Sequence, residues 1–148
     1  MPTSNAPLTP KPHEHTESQA NAVLVSPAGE TTPVHLPTDP VARHAAASQH
    51  LGGEADYIGH TATCPHGTPV LSTAVTKDGD TLPVNLPATL ALDLLRDEPS
   101  LLTLTGPVLF LGPPGADGQF TSLTDKQVQG LEGLLAVVRS DLRTPVGP

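Results

Sequence analysis

The sequence predicts an α+β domain. One mainly antiparallel sheet carries helices packed on one face, in the order β-β-α-β-β-α-β-α, behind a disordered N-terminal tail. Three observations lead there. Short strand-like segments stand next to one another across turn residues, so they can pair without a long crossover. Segments with apolar residues at helical spacing separate or follow them. No regular strand–helix–strand alternation runs through the chain, which disfavours a doubly wound sheet. The 148 residues suit one domain, read as a tail over 1–20, a domain over 21–143 and a frayed end over 144–148.

The tail, MPTSNAPLTPKPHEHTESQ, has few large apolar side chains, too few to offset the entropy of ordering it. Ala22–Val25 begins the domain as a strand. Ser26-Pro27-Ala28-Gly29 is a turn, since proline presets φ and glycine tolerates a positive one. Thr31–Leu36 returns as an edge strand, because Pro33 lacks the N–H that a central strand needs. Asp39 is placed to cap a helix and Pro40 to open it. Val41, Ala45, Ser48 and Leu51 define its expected face, and Gly52 its end. Ala55–Thr61 and Val70–Thr76 are strands about the turn Cys64-Pro65-His66-Gly67, and Asp78-Gly79-Asp80 is a further turn. Pro87–Arg96 is a helix with Leu90, Leu94 and Leu95 as its core. Leu101–Leu111 is a strand buried on both faces, given the run Val108-Leu109-Phe110-Leu111. The last helix opens with the capping box Thr124-Asp125-Lys126-Gln127. Val128, Leu131, Leu134, Leu135, Val138 and Leu142 follow at helical spacing.

Composition bounds the function. Seven basic against 15 acidic residues give a net charge of −8, which repels phosphate backbones and anionic lipid, so neither direct nucleic-acid binding nor a membrane is expected. The acidic surface suits a protein partner. Only Phe110, Phe120 and Tyr57 are aromatic, so the core must be aliphatic. Cys64 is the only cysteine, which excludes an internal disulfide and fits a reducing cytoplasm. The N-terminus lacks the apolar stretch of a signal peptide, and the expected location is cytoplasmic.

Sites for chemistry are sparse. His60, Cys64 and His66 supply at most three ligands, with His50 as a remote fourth, at no standard zinc spacing. They are weak metal candidates beside the plainer reading of polar turn residues. Cys64 with His60 or His66 and Asp56 is the only nearby nucleophile–base set. Gly112-Pro113-Pro114-Gly115 lacks the Gly-Lys-Ser/Thr ending of a phosphate loop, and its prolines remove the N–H donors such a loop uses. No catalytic residue and no cofactor is assigned. Gly130 and Gly133 on the last helix allow either packing on the sheet or a homodimer contact.

Four segments carry a resemblance: Ala22–Gly29; the helix ending Leu51-Gly52-Gly53; Asp78-Gly79 followed by Leu82-Pro83-Val84-Asn85-Leu86-Pro87-Ala88-Thr89; and Leu104–Gly112 with Leu123-Thr124. Together they resemble a small domain of actinobacteria, their phages and mobile elements, the family numbered 3846 among domains of unknown function. The resemblance spans about Ala22 to Leu142. It implies no catalytic residue. It points to Asn85 and Ala88 as signature positions, and to an accessory role in mobile-element biology, acting on a host protein.

The expectation is therefore a non-enzymatic accessory or protein-binding module. The candidate ligand- or partner-binding residues are Gly52, Gly53, Asn85, Ala88 and Thr89. Asn85 also fits a plain helix cap. Two alternatives stay open: a small-ligand or nucleotide-sensing domain using those residues, and a metal- or thiol-dependent enzyme centred on His60, Cys64 and His66.

Overall fold

The computed structural model describes residues 20–63, 69–96, 103–115 and 120–143. The expected tail and frayed end lie outside them, apart from Ala20. The elements are β1 (Ala22–Val25), β2 (Thr31–Val34), α1 (Pro40–Leu51), β3 (Ala55–Thr63), β4 (Pro69–Thr76), α2 (Leu86–Arg96), β5 (Val108–Leu111) and α3 (Asp125–Arg143). They follow the expected order. The strands form one sheet, β2-β1-β5-β4-β3, antiparallel at every pairing.

β5 is the middle strand, and all four of its residues are buried. Side chains alternate across a strand, so an unbroken apolar run needs cover on both sides. That need corrects the expected single layer of helices. Val108 and Phe110 pack with Val23, Val25 and Leu71 under α2 and α3. Leu109 and Leu111 pack with Ala22, Val34 and Ala74 under α1. The helices thus divide between the two faces.

β5 is also shorter than the expected Leu101–Leu111. Gly106 has φ of +70° and Pro107 has no N–H to give a ladder. Upstream of them, Thr105 bridges to Val84 instead, and Gly106 N–H donates to Pro83 O at 2.7 Å. The segment before β5 therefore leaves the sheet and runs along the entry to α2. A side chain at Gly106 would also collide with Leu82, whose Cδ1 stands 2.6 Å from an ideal Cβ.

Local rules account for the helix ends. Asp39 Oδ2 accepts from Ala42 N–H at 2.9 Å, with Pro40 in the first turn. At the far end Gly52 takes φ of +78°, and the N–H groups of Gly52 and Gly53 donate to Gln49 O and Ser48 O. In α3 the capping box closes in both directions, Thr124 N–H to Gln127 Oε1 at 2.8 Å and Gln127 N–H to Thr124 Oγ1 at 3.1 Å.

Helix faces follow tertiary packing more than expectation. Val41 is 80% exposed, and α1 buries Arg43, Ala47 and Leu51. α2 buries Ala88, Ala91 and Leu92, whereas Leu94 is 60% exposed. Small alanines let α2 approach its neighbours closely, so its leucines are not all needed inside. α3 buries Val128, Leu131, Leu135 and Val138 as expected, and leaves Leu142 exposed.

Candidate functional site

The two expected signature segments fold into structural joints. Gly52 is the left-handed end of α1. Gly53 lets the chain pass Thr76, whose Cγ2 lies 2.7 Å from an ideal Cβ there. Thr76 Oγ1 donates to Leu51 O at 3.0 Å across the same junction.

Asn85 is fully buried. Its Nδ2 donates to Val25 O at 2.9 Å and Gly106 O at 2.8 Å, and its Oδ1 accepts from Ala88 N–H at 3.1 Å. Its backbone N–H donates to Leu104 O at 2.7 Å. Thr89 Oγ1 donates to Asn85 O at 2.8 Å and accepts from Leu104 N–H at 3.0 Å. One side chain thus caps α2 and holds it to β1 and to the segment before β5. Ala88 is buried beneath this cap. Among the described residues no hydrogen bond joins the glycine pair to the Asn85 joint, and neither lines the two sites described next.

Of the metal candidates, Cys64 and His66 lie outside the described residues, and His60 contributes its backbone to β3. His50 is exposed in the last turn of α1. Among the described residues no group of three His, Cys, Asp or Glu side chains is close enough to hold a metal ion. Nor is any described helix long and apolar enough to cross a membrane.

Two other places have the shape of sites. The first lies on the α1 face of the sheet. Arg43 is 8% exposed. Its Nε donates to Pro37 O at 2.8 Å, its Nη1 to Phe120 O, and its Nη2 to Ser122 Oγ at 3.3 Å. All three acceptors are neutral, and no carboxylate of a described residue forms an ion pair with it. Beside it Tyr57 stacks on Phe120, ring centroids 4.5 Å apart and planes 18° from parallel. His44 Nδ1 lies 3.3 Å from the Tyr57 hydroxyl. Together with Thr38 and Pro40 these groups line a cavity of about 160 Å³. Burial pushes the Tyr57 phenol above its ordinary pKa, and the Arg43 charge pulls the other way.

Sequence reading passed over this cluster. It rotated α1 toward Val41, which put Arg43 off the buried face. The available signal was scarcity: Tyr57 and Phe120 are two of only three aromatic residues, and they are 63 positions apart yet in contact.

The second place is a groove of about 440 Å³ on the opposite face of the sheet. Its walls are Leu71 of β4, Leu95 of α2, Leu123, and Leu131 and Leu134 of α3, with Gln127 and Gly130. A Cβ added at Gly130 or Gly133 would meet nothing within 4 Å, so neither glycine is there to let α3 pack on the sheet.

Comparison with models of protein families, with curated proteins and with solved structures gives no match for this chain.

Proposed function

We propose that the domain is a non-enzymatic binding module that docks a protein partner in the groove between β4, α2 and α3. The apolar groove carries the reading. Five leucines line it, and Gly130 adds no side chain to close it. A groove of this kind accepts apolar side chains presented by a helix or an extended segment. Its size lies within the range of sites that bury small apolar groups. The net charge of −8 favours a partner whose apolar residues are flanked by basic ones, since opposite charge speeds encounter and discourages acidic competitors. The accessory role on a host protein implied by the sequence resemblance is compatible with the same surface.

Gly130→Met tests it, because Gly130 lines the groove and a Cβ there meets nothing within 4 Å. Affinity capture would compare the parent chain with Gly130→Met and with Gly133→Ala. A protein retained by the parent and by Gly133→Ala, but lost with Gly130→Met, supports docking in the groove. Equal retention by all three chains overturns it.

The Arg43 cavity favours a second reading, a site for a small ligand.

A further inference from the structure

We propose that the cavity at Arg43 is a binding site for a small monocarboxylate with an apolar body. Three properties of the cavity converge on that chemistry. First, the guanidinium charge is withdrawn from water, and no carboxylate among the described residues pairs with it. A buried charge is costly unless paired, and here the partners are two carbonyls and a hydroxyl. Those bonds use three of the five guanidinium N–H groups. The unused donors and the whole positive charge are left for an oxyanion, which a guanidinium engages by charge-assisted bonds.

Second, the remaining walls are apolar or aromatic: Pro40, Tyr57 and Phe120, with Thr38 and His44. Such walls bury hydrocarbon and offer little to a multiply charged anion. Third, the volume of about 160 Å³ is close to the roughly 150 Å³ of an engineered apolar cavity that holds benzene. A body of about six to eight heavy atoms fills that volume. Asp39, the N-cap of α1, stands four residues before Arg43. Its carboxylate is turned to the Ala42 N–H in capping α1, and it forms no ion pair with Arg43.

Arg43 also ties Pro37, before α1, to Phe120 and Ser122, before α3. Its removal can disturb both loops, so the primary test leaves the chain intact. Tyr57 is the only tyrosine and there is no tryptophan, so intrinsic fluorescence reports on this cavity alone. The parent protein is titrated with isovalerate and with its neutral isostere isovaleramide, at matched ionic strength.

The proposal expects a saturable change in Tyr57 emission, with isovalerate bound at least about tenfold more tightly than isovaleramide, the share of one charge-assisted contact. Arg43→Lys, which keeps the charge but not the fork, should weaken isovalerate binding and leave isovaleramide unchanged. Equal binding of acid and amide would overturn the proposal by showing a merely apolar cavity. So would no saturable change with either compound. Neither result bears on the groove, which lies on the other face of the sheet.

Discussion

Replacing Asn85 by alanine should nearly unfold this domain, and the size of the effect follows from its bonds. The cap on Ala88 N–H contributes about 1 kcal/mol. Removing Nδ2 also takes a donor from each of two carbonyls, Val25 O and Gly106 O. A buried acceptor left unsatisfied costs about 1–3 kcal/mol. The loss is then roughly 3–7 kcal/mol, set against about 5–15 kcal/mol for a whole domain. Urea unfolding followed by far-ultraviolet circular dichroism and Tyr57 fluorescence would measure it. Asn85→Asp extends the argument. It keeps the cap acceptor but faces a carboxylate toward two carbonyl oxygens in a fully buried place. Desolvation raises the folded-state pKa of such a group above its unfolded value. The variant should therefore be relatively more stable below about pH 4, and lose stability as pH rises through the folded-state pKa. A loss below about 1 kcal/mol for Asn85→Ala would refute the account of Asn85 as the joint of the fold. A consequence for binding studies is that an inactive Asn85 variant reports unfolding before it reports a lost contact.

Other expectations are more local. Gly130→Ala and Gly133→Ala should each stabilise the domain by about 0.5–1 kcal/mol, since helical glycine is costly and both positions are open; chemical denaturation of each variant would show it. Ser72→Ala should raise the melting temperature, by removing a buried hydroxyl with no hydrogen-bond partner and the roughly 1 kcal/mol its desolvation costs. A fall instead would mean that the hydroxyl is bonded. Absorbance titration should place ionisation of Tyr57 above the ordinary phenol value of 10.0. Because its folded-state pKa is raised, stability present below about pH 10 should decline as pH rises through that folded value. Arg43→Met should move the Tyr57 transition higher still, since the guanidinium charge opposes the shift.

Much of the frame was legible in the chain because its signals are local. Asp39-Pro40 and Gly52 bound α1, the Thr124–Gln127 box opens α3, and the run Val108–Leu111 marks a strand covered on both sides. Each depends on residues within a few positions of one another, so pattern and propensity suffice. That same run already contained the reason for helices on both faces, although helix segregation pointed to one. The polar joint at Asn85 was half legible. Its capping of α2 follows from sequence spacing, but its hold on Val25 and Gly106 does not.

By itself, then, the sequence determined the class, the order of elements, their caps and the acidic, almost aromatic-free composition. Only the tertiary structure decided how each helix turns about its axis. That choice depends on the summed packing of distant side chains, and a rotation of one residue exchanges inside for outside. It placed Arg43 under a loop 77 positions away and brought Tyr57 onto Phe120. It also left Gly130 open beside five leucines. Both candidate sites are made of contacts between remote parts of the chain. No local rule encodes them, because the free energy that fixes them is gained only when the sheet and helices close on one another.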